Sequence, residues 1–421
     1  MSNNIRKPQT LKGFRDFLPN EARKRAYVIS VFKNIFESFG FEPLETPALE
    51  YQSLLLGKYG EEADKLVYTF DDKGGRAVAL RYDQTVPTAR VLAQYQMQLG
   101  LPFKRYQIQP VWRADKPQKG RYREFLQCDP DIFGSSSSLA DTEIIVVSSQ
   151  ILQQLGFKKF QILVNDRSIL FAIMNRSQIP ENEQLSVIQT LDKLDKKSKT
   201  EVIEELKKKR LSEDKIQMIF TAIDEANPSD NLEKIIKYAL ALGVTKETII
   251  FRPYLARGLD YYTDSIFELL IEGYDVGSVG GGGRYNKLIK QISGVSIPAV
   301  GIAFGFDRIV EAIDQFSLWP KDMQQTTVLI TIFNQELIYQ SIKVAQELRK
   351  ENIALELYPD ESTKLDKQLK YADRKGFQYA IIIGPEENDQ NKIKLKNMTT
   401  GKQETLSVDE VIKRLYENQS K

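Results

Sequence analysis

The chain contains no histidine and a single cysteine, Cys128, among its 421 residues. Those two scarcities remove whole classes of chemistry. One cysteine excludes disulfides within the chain and cysteine-based zinc sites. The lack of imidazole excludes Ser-His-Asp triads and histidine general bases. Any metal must therefore be held without His or Cys ligands. Long apolar runs are also missing: no stretch of about 18 apolar residues occurs, and the opening MSNNIRKPQT has no apolar signal core. A membrane span is not expected, and a cytoplasmic location is. Excess charge of one sign is missing as well, since 59 Lys and Arg oppose 57 Asp and Glu. A polyanionic partner would have to be met by local basic patches. What remains is a 42% hydrophobic chain, enough for two or three domains, whose chemistry must run on charge and positioning.

The pattern along the chain separates four regions. Residues 1–166 hold a helical pattern over 21–40 and then strand-like runs, VALRYD, FKRYQIQPVWRAD and REFLQCDPDIFG, that read as an antiparallel sheet. Residues 167–248 are helical and rich in Lys and Glu around LDKLDKKSKTEVIEELKKKR, with Pro180 and Pro228 as breaks, and read as a helical insertion. Residues 249–320 return to strands at SIFELLIEG and end in a helical run over 305–316, completing the first sheet. From 326 to 421 strands and helices alternate, which predicts a separate α/β domain with parallel pairing. The fold class expected is α+β.

Two polar blocks lie among apolar residues: Arg113 to Asp131, and Arg257-Gly-Leu-Asp-Tyr-Tyr-Thr263. A core tolerates so many polar groups only when they are paired or hold a ligand. A period of two in REFLQCDPDIFG places Phe125, Gln127, Asp129 and Asp131 on one face and Leu126 and Cys128 on the other. The same period in VALRYDQT aligns Arg81, Asp83 and Thr85 toward that cavity, with Pro87 ending the strand. ADKPQKG suits a basic hairpin loop able to reach a phosphate backbone. Pro130 lacks a backbone donor and implies a bulge or twist just before Asp131. The bland readings are a packing role for Gly280 to Gly283, a solvated face for Lys207 to Arg210, and a buried small hydrophobe for Cys128.

Arg113, a variable loop and then Arg121-x-x-x-Phe125 resemble motif 2 of the class II aminoacyl-tRNA synthetases. GIAFGFDRIV resembles their motif 3, and the segment ending in FGFEPLETPALE, with Pro47, resembles their motif 1, which in that class lies at the dimer interface. LRYDQTVP, KPQKGRYREF-Q, RGLDYYT and GGRY together resemble the histidyl-tRNA synthetases specifically, RGLDYY most of all, and the resemblance covers nearly the whole chain.

The resemblance implies an antiparallel catalytic core with a helical insertion and a C-terminal anticodon-binding domain. It also implies ATP, Mg2+, L-histidine and tRNA(His) as substrates or partners, in a homodimer. It makes Arg257 and Arg113 catalytic and places Arg113, Arg121, Phe125 and Arg308 on ATP. It places Asp83, Gln84, Thr85, Arg113, Gln127, Asp131, Arg257, Tyr261 and Tyr262 around histidine, and Gln118 and Lys119 on the tRNA acceptor end. The chain departs from the family pattern at Asp115, where Glu is common. It departs again at Asn286 and Lys287, where GGRYDGL reads GGRYNKL, and at Asp264, where RGLDYYTG ends in Asp. Non-charging relatives include a regulatory subunit of ATP phosphoribosyltransferase. The C-terminal domain and the three arginines Arg113, Arg257 and Arg308 favour catalysis here.

Overall fold

The computed structural model describes residues 8–57, 64–118, 120–258, 261–320 and 328–419. The chain divides into two compact units, Met1–Trp319 and Pro320–Lys421. In the first unit the strands are β1 (Glu42–Pro43), β2 (Leu49–Tyr51), β3 (Thr69–Asp71), β4 (Ala77–Leu80), β5 (Phe103–Trp112), β6 (Glu124–Phe133), β7 (Phe160–Asp166), β8 (Ile249–Phe251), β9 (Ser265–Ile271), β10 (Gly280–Arg284) and β11 (Ala299–Gly305). Eight of them form one sheet in the order β1-β5-β6-β11-β10-β9-β7-β8. Its inner pairs are antiparallel, while β1 with β5 and β7 with β8 are parallel. The smaller sheet β2-β4-β3 is antiparallel throughout.

Helices Pro19–Ser38 and Ser138–Gln154 bury Phe32, Phe36, Ile144 and Ile151 in the same core as Cys128, Ile162 and Phe304 of the sheet. The burial comes from 3.6-residue apolar periodicity facing the apolar side of the pleat. Helices of the insertion, among them Glu181–Leu191, Lys199–Lys208 and Glu213–Asp224, send Val187, Leu206 and Ile219 into that core too. The insertion is therefore not a separately packed body. Ser198 and Glu201 close a capping box at its most lysine-rich helix, and Ser212 and Ser229 cap the next two.

In the second unit, β12 (Val328–Ile330), β13 (Leu355–Leu357), β14 (Tyr379–Ile382), β15 (Ile393–Asn397) and β16 (Gln403–Leu406) run in the order β13-β12-β14-β15-β16. The first three pair in parallel and the last two antiparallel, so the expected parallel sheet is in fact mixed. Helix Ile338–Lys350 and the C-terminal helix Val408–Gln419 bury Val344, Leu348, Val411 and Leu415 against it.

Two local expectations are corrected. No bulge forms at Pro130: β6 keeps one register against β5 from Phe103↔Phe133 to Trp112↔Glu124, through Tyr106↔Pro130. On the β11 side the register is also kept, and only the ladder positions opposite Ile302 and Ala303 drop out, as a missing N–H requires. Pro87 does not end a strand. β4 stops at Leu80, and Pro87 sits in the first turn of helix Thr85–Leu99, where its lost donor costs nothing.

β10 is a strand made of Gly280, Gly281, Gly282 and Gly283 followed by Arg284. A Cβ at Gly282 would lie 2.3 Å from the Gly301 carbonyl oxygen, and one at Gly280 would lie 2.8 Å from Leu269 Cδ1. On the other face a Cβ at Gly281 would lie 3.1 Å from Arg257 Nη1, and one at Gly283 3.0 Å from Tyr262 Cδ1. The glycines are there for close approach, not to cradle phosphate. Gly282→Ala should cost about 1–3 kcal/mol through overpacking against backbone that cannot swing aside. A calorimetric unfolding midpoint equal to wild type would contradict this. Arg284 closes the strand by pairing with buried Asp141 and donating to Ser135 O at 2.7 Å, which fixes the strand end to the Ser138–Gln154 helix.

Candidate active site

β6, β10, β11 and the loop carrying Arg257 enclose one cleft with two adjoining chambers. The first, about 210 Å3, is lined by Arg113, Asp115, Arg121, Phe125, Arg257 and Arg308 among others. The second, about 330 Å3, is lined by Asp83, Thr85, Gln127, Asp129, Asp131, Tyr261 and Tyr262 among others. Arg113, Phe125 and Arg257 belong to both walls. The strand period thus delivers its four expected residues to one face.

The chambers carry opposite charge. In the first, Arg113 donates Nε to Tyr82 O at 3.1 Å and its Cζ lies 4.3 Å from the Tyr82 ring centre and 5.2 Å from that of Phe125. Arg308 donates to Ser278 O at 2.7 Å, and Arg121 stands 3.8 Å from Asp115. Asp307 is spoken for by Arg15 and Arg25. Four arginines therefore face a space with one loosely held carboxylate, which is a site for a polyanion. Arg257 pairs with Glu268 of β9. Burial disfavours its charge, but Glu268 and Asp192 more than restore it, so the guanidinium is held above its ordinary range.

In the second chamber Asp83, Asp129 and Asp131 converge on a floor beneath which Arg105 is wholly buried. Arg105 Nη2 lies 2.7 Å from Asp131 Oδ2, and Nη1 donates to Asp129 O at 2.7 Å. Tyr285 donates its hydroxyl to Asp131. Burial pushes the carboxyls of Asp129 and Asp131 up, Asp129 furthest, against the pull of Arg105. Among the described residues, Gln127 Oε1 and Asp129 Oδ1 are buried without a hydrogen-bond partner. An excess of carboxylate with open acceptors is a site for a cation that also donates hydrogen bonds. Tyr261 and Tyr262 pack with ring centres 4.3 Å apart, and burial pushes the Tyr261 phenol up to about 12 and raises that of Tyr262 as well. Both therefore remain neutral hydroxyls.

Several expected residues fall elsewhere. Gln84 does not line either chamber. It is fully buried and donates Nε2 to Gln109 O at 3.0 Å and Gln127 O at 3.2 Å, so it braces β5 and β6 from beneath. Arg81 is not a wall residue either: it donates to Pro110 O at 2.8 Å and Thr46 O at 2.6 Å, tying the segment around Pro47 to β5. Gln118 and Arg121 close the hairpin with mutual backbone bonds of 3.1 and 2.9 Å. Lys119 lies outside the described residues, as do Leu259 and Asp260 of the RGLDYY segment.

Sequence reasoning missed Arg105, Tyr285 and Glu268, and also Asp192 and Asp195. Asp192 accepts from Ala256 N at 2.9 Å, and Asp195 pairs with Arg252 at 2.9 Å. Both lie in the short 3-10 turn Asp192–Asp195 of the insertion and hold the backbone that leads to Arg257.

An arginine-lined chamber opening directly into an acidic chamber on an antiparallel sheet is the arrangement of a class II aminoacyl-tRNA synthetase core. Residues 13–309 match the family described as histidyl-tRNA synthetase, and residues 327–418 match the anticodon binding domain. The chain belongs to the histidyl-tRNA synthetase family. It is 40% identical to a histidine–tRNA ligase of Gloeobacter violaceus, over 94% of this chain and 96% of that protein. It is 37% identical to one of Cytophaga hutchinsonii, over 98% and 100% of the two chains. The crystal structure of histidyl-tRNA synthetase from Nostoc sp. PCC 7120 superposes with a TM-score of 0.85 at 29% identity, covering 96% of this chain and 99% of that one. No helix among the described residues is long and apolar enough to cross a membrane.

Proposed function

We propose that the chain is a histidine–tRNA ligase that activates L-histidine with ATP and transfers it to the 3′ end of tRNA(His). The observation that carries this reading is the reversal of charge along one cleft, with Arg113 and Arg257 at the junction. In the first step a carboxylate oxygen of histidine attacks the α-phosphorus of ATP, the bond to the bridging oxygen breaks, and pyrophosphate leaves with that electron pair. In the second a terminal ribose hydroxyl of the tRNA attacks the adenylate carbonyl carbon, its proton is lost, and AMP leaves. Neither step needs a protein nucleophile. Both need two anions brought into line and charge on the α-phosphate neutralised.

Arg113 bridges the carboxylate and α-phosphate, Arg257 stabilises the charge that develops, and Arg121 and Arg308 hold ATP with adenine on Phe125. Asp83 and Thr85 take the ammonium, Gln127 the carboxylate, and Asp131 with Tyr261 or Tyr262 the imidazole. Asp115 fits Mg2+ arriving with the triphosphate, since it is the first-chamber carboxylate without a close arginine; phosphates and water would supply the other ligands and the ion would neutralise phosphate charge. Residues 1–166 and 249–320 form the catalytic part, 167–248 the insertion and 326–421 the part that reads unpaired anticodon bases. Gln118 and Lys119 meet the acceptor end. The protein works as a cytoplasmic homodimer, a reading supported by exposed Leu49, Tyr51 and Phe70 on the small sheet that carries part of the motif 1 segment.

The test is ATP–pyrophosphate exchange with each of the twenty amino acids. Exchange with histidine alone is expected. Histidine binding without exchange would instead make the chain a regulatory relative. Histidine affinity should also depend on pH. A cationic ligand favours ionised Asp129, whose carboxyl lies above the usual carboxylate range in the free pocket because of burial. Affinity should therefore rise with pH through that ionisation, with protons released on binding. Calorimetry in buffers of different ionisation enthalpy, stepped in pH through that ionisation, reads the sign. Net proton uptake would contradict the assignment.

A further inference from the structure

Residues 12–17 lie against the hairpin between β5 and β6 and lead into helix Pro19–Ser38. The reaction proposed above gives them no role. Gly13 O accepts from Arg123 N at 3.0 Å, and the Arg123 side chain donates to Lys12 O at 3.4 Å and to Asp115 O at 3.2 Å. Gly13 has a φ of +90°, and a Cβ there would lie 2.8 Å from Arg123 Cγ and 3.0 Å from Pro117 Cγ. This joint needs glycine twice, for its backbone and for its bareness.

Two residues on, Arg15 links the hairpin to another element. Its Cζ stands 3.2 Å from the Tyr122 ring centre, and its Nη2 lies 2.9 Å from Asp307 Oδ1. Tyr122 belongs to the hairpin, whereas Asp307 lies in the first turn of helix Phe306–Phe316. One helical turn further, Glu311 accepts from the hydroxyls of Tyr122 at 3.2 Å and Tyr274 at 3.1 Å. Carboxylates at i and i+4 on one helix face thus hold Arg15 and Tyr122 while these two stack on each other. Arg308 follows Asp307, Arg121 precedes Tyr122, and both line the arginine chamber, whereas Arg15 stands outside that lining.

Resting on the reading of that chamber as the ATP site, we infer that Arg15 is a positioning residue. It sets Arg121 of the hairpin and Arg308 of the helix relative to each other, so that both meet one triphosphate. The bonds between Gln118 and Arg121 shape the hairpin's own turn but not its height over the chamber. Arg121 is more than half exposed and 3.8 Å from Asp115, so its own contacts hold it loosely. A planar cation on an aromatic face, itself paired with a carboxylate, is a stiff coupling between two elements. Preorganising two cations for one polyanion raises affinity without adding a contact.

The full chain would be compared as wild type, Arg15→Met, Gly13→Ala, Tyr122→Leu and the double variant Arg15→Met, Tyr122→Leu. Methionine keeps the bulk of the arginine stem, and Asp307 keeps Arg25 as a partner, so Arg15→Met should fold. Its Kd for ATP with Mg2+, read by calorimetry, should rise about tenfold. Its Kd for histidine without ATP, and its exchange rate at saturating ATP, should stay within about twofold. Gly13→Ala, which disturbs the joint without touching Arg15, should show the same split. The double variant should bind ATP no more weakly than Tyr122→Leu alone, because both side chains act through one contact. Arg25→Gln is the charge control: Arg25 pairs with the same Asp307 but lies over the rings of Phe17, at 3.9 Å, and Phe306, at 4.7 Å. It should leave ATP affinity within about twofold. Unchanged ATP affinity in Arg15→Met or Gly13→Ala, additive losses in the double variant, an equal loss in Arg25→Gln, or an equal loss of histidine affinity would each overturn the role. Absence of ATP binding by the wild type would instead overturn the charging reading and this inference with it, a failure distinct from variants that bind ATP as the wild type does.

Discussion

Arg257→Ala should lower histidine-dependent pyrophosphate exchange roughly a hundredfold or more, about 3 kcal/mol of transition-state stabilisation. The guanidinium lines both chambers and is paired with Glu268, a position where the proposed reaction would need a cation for the charge that grows on the α-phosphate. The substitution also strands Glu268, which is 9% exposed, and an unpaired buried carboxylate costs stability on its own account. The double variant Arg257→Ala, Glu268→Gln removes that complication. It should recover the wild-type unfolding midpoint and remain as slow as the single variant. Near-normal exchange by either protein would sink the assignment.

Asp131 should separate binding from folding. Asp131→Ala leaves Arg105, which is 0% exposed, without its carboxylate and should cost about 3–5 kcal/mol, enough to unfold much of the protein. Asp131→Asn keeps the shape and an acceptor for the Tyr285 hydroxyl while removing the charge. That protein also leaves the Arg105 charge unpaired, so its unfolding midpoint should fall, though less than for Asp131→Ala; once folded it should bind histidine at least tenfold more weakly, roughly 1.4 kcal/mol or more, and keep its KM for ATP. Equal losses for the two substrates in steady-state exchange would show that Asp131 does not face the amino acid.

Local rules made part of this site legible in advance. Alternation in Glu124–Phe133 was enough to place Phe125, Gln127, Asp129 and Asp131 on one face, because a buried sheet with one solvent-filled side enforces a period of two. The same rule failed in VALRYDQT, since Pro87 is as compatible with a helix's first turn as with a strand's end, and the first-turn placement won. β10 was illegible as a strand because glycine disfavours strands in isolation, and only neighbours from β9 and β11 make its bareness necessary. Arg105 and Tyr285 escaped notice for a related reason. Their partner, Asp131, is 26 and 154 residues away, and pairing across such separations is set by sheet order. Arg81 and Gln84 were drawn toward the ligand by their polarity, whereas backbone carbonyls of β5, whose outer edge β1 covers only at Arg105 and Tyr106, had first claim on them.

The turn Asp192–Asp195 bears on how this enzyme could be taken apart. Through Ala256 and Arg252 it grips the chain just ahead of Arg257, although it belongs to the insertion. The insertion is thus no exchangeable cassette. A graft bounded at residues 167 and 248 would carry away the anchor of the segment leading to Arg257, and recombination among relatives would preserve that anchor only where the donor segment supplies matching carboxylates at that turn.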